Sequence, residues 1–126
     1  QIGIDVMFDE MTYREMEFAL KIVTQAEDTR LAELRDILLG NQQAKIEYIE
    51  KPIDLDLNES QQKALEKIAN AKDVAIIHGP PGTGKTTTLA HAINQTVKKE
   101  KQVLVCAPSN AAVDWIVEKL ADLGDL

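Results

Sequence analysis

Hydrophobic residues recur with helical spacing over residues 12–39, in two stripes separated by a polar break at residues 27–29. Each stripe repeats at intervals of three or four residues, which is the pattern of an amphipathic helix with one buried face. Thr12 and Glu15 have the spacing of a capping box at the start of the first helix. A short break between two such helices predicts an antiparallel helical hairpin. The stripe residues are Met16, Leu20, Val23, Leu31, Leu34 and Leu38.

The segment 44–57 has a different period. Apolar residues at positions 53, 55 and 57 alternate with Asp54 and Asp56 after Pro52, and a period of two is typical of an extended chain with one buried face. We expect an edge strand or an ordered loop here, with both carboxylates facing solvent. The segment also marks the expected boundary between a first domain, residues 1–56, and a second, residues 57–126.

The second half of the chain alternates between helical and strand-like patterns. Helical spacing is found over 59–70, 85–97 and 110–123, and apolar runs of strand length are found at 73–78 and 103–107. A strand–helix–strand–helix order implies parallel strands joined by a right-handed crossover. The sequence therefore predicts an α/β fold with parallel strands, preceded by a helical hairpin.

Charge is distributed unevenly along the 126 residues, whose formal net charge is −7. Residues 1–60 carry 14 acidic and 6 basic side chains, whereas residues 61–126 carry 7 acidic and 8 basic ones. An acidic protein usually binds nucleic acid poorly. Because the second half is nearly neutral, however, the charge neither supports nor excludes contact with a phosphate backbone.

Composition excludes several classes of protein. With 44% hydrophobic and 28% charged residues, the chain is neither disordered nor collagen-like, and no apolar run approaches the ~20 residues of a membrane-spanning helix. The single cysteine, Cys106, excludes an internal disulfide, and zinc-ligand spacing is absent. We expect an intracellular protein, cytoplasmic or nuclear, without a structural metal. The start without Met also suggests a fragment of a longer protein.

The segment between the strand at 73–78 and the helix at 85–97 matches G-x-x-x-x-G-K-[ST], the Walker A phosphate-binding loop. Glycines let the backbone approach a polyphosphate closely, and the following helix presents its positive N-terminus to the anion. Lys85 would face the β- and γ-phosphates, and the Thr86 hydroxyl would be a Mg²⁺ ligand. These two are the candidate catalytic residues. The predicted nucleotide-binding residues of the loop are Gly79, Pro80, Pro81, Gly82, Thr83, Gly84, Lys85, Thr86 and Thr87.

Three blocks of sequence resemble superfamily 1 helicases of the type that includes the nonsense-mediated-decay helicase and the immunoglobulin-mu-binding-protein helicase. Residues 57–61 resemble the Q motif of this family, residues 78–88 resemble helicase motif I, and residues 105–114 resemble motif Ia. The helix pair after Thr12 resembles the stalk before the first motor domain. The resemblance implies a RecA-like P-loop fold, of which this chain would hold only the opening part.

The resemblance assigns further roles, each of which competes with a structural role. Gln61 would bond the edge of adenine, but Asn58 and Gln61 also have the spacing of a capping box. Pro108, Ser109 and Asn110 would contact a single nucleic-acid strand, but Ser109 or Asn110 could instead only cap the last helix.

For three other side chains, the sequence favours a structural role over a chemical one. Trp115 could stack a base, although its place on an amphipathic helix favours packing. Cys106, in an apolar run, is expected to be a small core residue. His78 is expected to support the turn of the phosphate loop.

Hydrolysis also needs a carboxylate that holds Mg²⁺ on a second strand. The acidic residues after Asp114 lie in or after the last predicted helix, and none follows an apolar strand. We therefore expect part of an ATP- and Mg²⁺-dependent helicase or translocase, acting on single-stranded DNA or RNA with the remaining motor segments and without a membrane. The chain alone is expected to be inactive. A P-loop ATPase that switches conformation without unwinding, and a non-catalytic assembly module, are the alternatives.

Overall fold

The computed structural model describes residues 10–48 and 51–124, and the chain divides between Gln43 and Ala44 into two units. Residues 1–9 of the predicted first domain, residues 49 and 50 of the predicted extended segment, and the last two residues lie outside the described ranges. The first unit contains two helices and the second contains three. Their bounds are α1 Glu10–Gln25, α2 Arg30–Leu38, α3 Glu59–Asn70, α4 Lys85–Val97 and α5 Asn110–Asp122.

The first unit has the two predicted helices, α1 and α2, joined by a short polar turn. Asp28 adopts a left-handed conformation with φ of 49°, and the Thr29 side chain caps α2 by accepting from the amide of Ala32 at 3.3 Å. The Arg35 guanidinium reaches back from α2 and donates to the carbonyls of Val23 and Ala26 at 3.1 and 2.9 Å. Because the last carbonyls of a helix have no partner within it, Arg35 acts as a C-terminal cap for α1.

Two details of the first unit differ from the sequence prediction. Thr12 lies inside α1 instead of ahead of it, because the helical backbone already begins at Glu10; the predicted capping box is therefore wrong. The apolar stripe of α1 is exposed at Met16 and Leu20, and Ala32 is the one buried side chain among the described residues of this unit. An amphipathic pattern identifies a helix, but it does not supply the surface that covers the apolar face.

The second unit is built on three helices whose bounds agree with the prediction to within one residue. α4 packs against both α3 and α5. On α3, the side chain of Leu65 is buried and only 1% exposed. The contact with α5 forms a small apolar core of Ala90, Ile93, Ile116 and Leu120, surrounded by Val97, Val105, Ala107 and Leu123.

The two predicted strands, 73–78 and 103–107, take part in no β-ladder in the described part of the chain. The one β-bridge found there is an isolated antiparallel pair between Ile46 and Ala71. Exposure nevertheless alternates along 103–107, where Val103, Val105 and Ala107 are half-buried. A strand requires a neighbouring strand for its ladder, and these two segments do not pair with each other. The predicted parallel sheet is therefore not confirmed.

The alternation also overturns the placement of Cys106. Cys106 is exposed, and so is its neighbour Leu104 at 86%. In an extended segment, successive side chains point to opposite faces. Because Val105 and Ala107 occupy the face toward the helices, Cys106 lies on the outer face, and the prediction of a core residue is wrong.

The segment before α3 differs from the prediction at Asp54, whereas Asp56 is exposed as expected. Ile53 and Leu55 are exposed, the latter at 95%, whereas Asp54 turns inward. The Asp54 carboxylate contacts the buried ring of His91 on α4. A polar partner inside the unit therefore turns Asp54 inward and leaves Ile53 and Leu55 facing outward, while Leu57 is half-buried.

Candidate nucleotide-binding site

The glycine-rich loop leads directly into α4 and leaves the start of this helix without a side-chain cap. Gly84 is the N-cap residue, with φ of 78°, and no side chain accepts a hydrogen bond from the first turn. The first turn also carries no acidic residue. Amide groups and the helix dipole therefore present positive potential at this point, which is the requirement for an anion site.

Lys85 folds back over the loop. Its ammonium donates to the carbonyls of Gly79 and Pro80, at 2.7 Å in both cases. The Pro80 carbonyl also accepts from the Thr83 hydroxyl at 2.9 Å. Backbone carbonyls are neutral acceptors, so an anionic oxygen at the same place would form a stronger, charge-assisted bond to the ammonium. The lysine is thus held beside the loop by partners that a phosphate can replace.

The other loop residues predicted from the motif surround the same turn. Gly82 has φ of 78° with no atom within 4 Å of a built Cβ, whereas a Cβ on Gly79 would lie 3.0 Å from the Thr83 hydroxyl. Pro81 is exposed, and both Thr86 and Thr87 are half-buried in the first turn of α4. The structure therefore brings the predicted loop residues together around the N-terminus of α4.

Gln61 lies in the first turn of α3, beside the phosphate loop. Its Oε1 accepts from the amide of Asn58 at 3.0 Å, and the Asn58 side chain accepts from the amide of Gln61 at 3.0 Å. Its Nε2 faces Gly84, and a Cβ on Gly84 would lie 2.4 Å from that nitrogen. The capping box is therefore present, and the same amide touches the loop. Contact with adenine stays a prediction.

A polar cluster beside Gln61 was missed from the sequence. Asp54 Oδ2 lies 2.5 Å from His91 Nδ1, with both side chains largely buried. The Gln62 side chain accepts from the amide of Asp54 at 2.9 Å and donates to the carbonyl of Pro52. The one signal was a histidine among the apolar residues of the predicted helix 85–97. Nothing in the sequence paired it with a carboxylate 37 positions away.

The residues of the motif Ia block lie at the start of α5. Ser109 accepts from the amide of Ala112 at 3.3 Å and caps the helix. Pro108, Ser109 and Asn110 are all exposed. The helix-cap role of Ser109 is therefore confirmed, and contact with a nucleic-acid strand stays a prediction.

A groove of about 580 Å³ connects the motif Ia block with the phosphate loop. Its walls include Thr86 from the first turn of α4, Pro108, and Trp115 from α5. Trp115 is 52% exposed, and the Lys119 ammonium lies 5.4 Å from the centroid of its ring, within the range of a cation–π contact. Trp115 is thus not a core residue, contrary to the packing interpretation.

The charge at the start of α3 differs from that at the start of α4. The Lys63 ammonium donates to the Glu59 carboxylate at 2.6 Å. This hydrogen bond lowers the pKa of Glu59 and raises the pKa of Lys63. Both side chains are exposed, so the pair adds little stability. It does place a carboxylate in the first turn of α3.

Residues 10–48 and 51–124 contain neither a metal-ligand cluster nor a membrane-spanning helix. No group of three or more His, Cys, Asp or Glu side chains there could hold a metal ion. None of the five helices has the length and apolar character needed to cross a membrane.

Comparison with known proteins identifies the family of the chain. A family profile described as an AAA domain matches residues 56–125, which include the Q-motif block, the phosphate loop and the motif Ia block. The chain belongs to this family. Its place among superfamily 1 helicases of the nonsense-mediated-decay and immunoglobulin-mu-binding-protein type is confirmed by the relatives that it matches.

Three relatives show the range of these matches. The chain is 41% identical over 116 residues to the rat DNA-binding protein SMUBP-2, and 38% identical over 130 residues to an uncharacterized ATP-dependent helicase, MJ0104, of Methanocaldococcus jannaschii. It is 36% identical over 121 residues to the ATP-dependent helicase NAM7 of Saccharomyces cerevisiae. These alignments cover 90%, 95% and 90% of the chain, but only 12%, 18% and 12% of the relatives.

Proposed function

We propose that the full-length protein carrying this chain is an ATP-dependent helicase or translocase, and that the chain supplies its phosphate-binding loop. The observation that carries the proposal is the uncapped N-terminus of α4, which follows a glycine-rich loop and carries Lys85. Two of the relatives are named ATP-dependent helicases, which supports this class of enzyme.

The phosphate chain of ATP would lie at the N-terminus of α4. Lys85 would exchange its two carbonyl bonds for bonds to the β- and γ-phosphates, which are charged acceptors. Amides of the loop would donate to the same oxygens, and the α4 dipole would add to their attraction. This arrangement stabilises the charge that develops on the transferred phosphoryl group.

The chemistry of Thr86 fits a bound Mg²⁺. A threonine hydroxyl directly after the lysine is a hard oxygen ligand, and Mg²⁺ at such sites is otherwise held by phosphates and water. Mg²⁺ would neutralise charge between the two terminal phosphates. Thr86 borders the groove that also contains Pro108, so phosphate and strand sites would share one wall.

The base and the nucleic-acid strand would bind on opposite sides of the loop. Gln61 would offer its Nε2 hydrogens to a base acceptor while Oε1 stays bonded to Asn58. Pro108, Ser109 and Asn110 would contact the backbone of single-stranded DNA or RNA. Segments 73–78 and 103–107 would be strands of a parallel RecA-like sheet, completed by further strands of the full-length protein.

The test is Lys85→Ala in the full-length protein. We expect ATP turnover to fall by at least about 100-fold, because the charge at the transferred phosphate is lost. Lys101→Ala removes an exposed lysine outside the loop and serves as the matched control, with unchanged turnover expected. Retained turnover in Lys85→Ala would refute the assignment of the loop. Turnover that single strands do not stimulate would indicate a conformational switch in place of a translocase.

A further inference from the structure

The turn before α3 is tied to two helices by separate side chains. From α3, Gln62 bonds the amide of Asp54 and the carbonyl of Pro52. From α4, His91 bonds the Asp54 carboxylate at 2.5 Å. The second carboxylate oxygen of Asp54 accepts from the amide of Asp56 at 3.1 Å and closes the turn internally. Asp54 is therefore the point at which α3, α4 and the turn meet.

The Asp54–His91 contact is shielded from water. The side chain of His91 is 8% exposed and that of Asp54 is 17% exposed. When a buried polar group loses its partner, the full free-energy cost of its desolvation remains. A member of an exposed ion pair, in contrast, is solvated by water when its partner is removed. Loss of either residue would therefore release the turn from α4 and not merely remove a surface contact.

The turn is connected to Gln61 through the start of α3. The carbonyl of Asp54 accepts from the amide of Leu57 at 3.4 Å, and the next residue is Asn58, whose capping box fixes the Gln61 side chain. Gln61 in turn lies against Gly84. A continuous series of contacts thus runs from His91 through the turn to the amide that faces the phosphate loop.

We propose that Asp54 and His91 are positioning residues for the base side of the nucleotide site: they hold the turn, and with it Gln61, at a fixed place beside the loop. The inference rests on the proposed function, because it assigns the Gln61 amide to the base of ATP. It predicts that the pair contributes to the affinity for the base and not to the affinity for the phosphates.

The experiment compares ATP with inorganic tripolyphosphate, which lacks the base, as ligands of the full-length protein. In His91→Ala we expect the Kd for ATP to rise about tenfold, the size of one lost hydrogen bond, while the Kd for tripolyphosphate stays unchanged. In steady state the KM for ATP should rise with little change in kcat. The double variant His91→Ala/Gln61→Ala should bind ATP no more weakly than Gln61→Ala alone, because both act on the same contact.

Ile93→Ala is the matched control. Ile93 lies two residues further along α4, is as buried as His91, and packs against α5 instead of contacting the turn. Ile93→Ala should lower the melting temperature of the protein without changing the ratio of the Kd for ATP to the Kd for tripolyphosphate. Should His91→Ala fail to fold, Asp54→Leu gives the same test from the other side of the contact.

The outcomes separate the two proposals. If the unaltered protein binds neither ATP nor tripolyphosphate, the proposed function fails and the inference fails with it. If the unaltered protein binds both, the inference alone is overturned by a variant that binds ATP normally, or by one that loses both ligands to the same extent.

Discussion

The N-termini of α3 and α4 lie side by side and are built in opposite ways. α3 begins with a complete capping box between Asn58 and Gln61, and its first turn carries Glu59. α4 begins at Gly84, without a side-chain cap and without an acidic residue in its first turn. The two helices have similar lengths, and both are packed in the same unit.

The difference follows from competition for the same amide groups. A capping side chain and a bound anion both accept from the first-turn amides of a helix, so one excludes the other where they use the same donors. α3 uses its own side chains and gains local stability. α4 leaves the amides to a ligand, and its start is stabilised by the loop and by neighbouring helices. Of the two, the uncapped helix is therefore the one suited to bind phosphate.

The largest effect should come from placing a side chain at the uncapped start of α4. Gly84→Asn adds a Cβ and a polar side chain there, and asparagine tolerates the left-handed backbone better than most residues. We expect the Kd for ATP to rise about tenfold or more, because the added Cβ displaces Gln61 and the side chain occupies space beside the amides that would bind phosphate. Calorimetric titration with ATP measures the change.

Gly40→Asn is the control for backbone strain. Gly40 has the same φ of 78°, with no atom within 4 Å of a built Cβ. Gly40→Asn should leave the affinity for ATP unchanged and cause a small loss of stability. Equal ATP affinity in Gly84→Asn and the unaltered protein would show that the open start of α4 is not the phosphate site.

A smaller effect should follow from removing the cap of α3. Asn58→Ala should lower the free energy of unfolding by about 1 kcal/mol, because the amide of Gln61 loses its acceptor. Chemical denaturation gives this value, and Asn41→Ala provides an exposed asparagine outside any helix start. ATP affinity should fall less than in Gly84→Asn. If Asn58→Ala reduced the free energy of ATP binding by more than it reduced the free energy of unfolding, the starts of α3 and α4 would not have separate roles.

The smallest effect concerns the start of α5, where Ser109 caps the helix and Asn110 is its first residue. Asn110→Ala should weaken single-strand binding about threefold through one exposed hydrogen bond, and leave the Kd for ATP unchanged. Ser109→Ala should mainly lower stability, because it removes the cap. Fluorescence anisotropy with a labelled oligonucleotide distinguishes the two variants. A stronger effect of Asn110→Ala on ATP than on the oligonucleotide would contradict the strand assignment.

Local signals in the sequence were sufficient for the helices and the loop. The bounds of α3, α4 and α5 follow from helical periodicity and from caps such as Asn58 and Ser109, which act within three residues of their position. The phosphate loop follows from its motif, because the spacing of its glycines and Lys85 is itself the requirement of the chemistry. The family profile matches residues 56–125, which contain these three helices and the loop.

Features that depend on distant partners could not be predicted in this way. The alternation at 53–57 indicated an extended chain, but the inward face was decided by His91 on α4. The outer position of Cys106 depends on which face of 103–107 meets the helices. Pairing of the two apolar segments depends on neighbouring strands, which local sequence does not contain.

The C-terminal cap that Arg35 provides for α1 has a consequence for how the first unit responds to its surroundings. The guanidinium is bonded to the neutral carbonyls of Val23 and Ala26 through one nitrogen and to the Asp36 carboxylate through Nε at 3.0 Å. Added salt therefore screens the contact with Asp36 but has no opposite charge at the two carbonyls to screen. Guanidinium chloride, in contrast, offers the same donors in excess. Sodium chloride should therefore destabilise the pair of helices α1 and α2 far less than guanidinium chloride does.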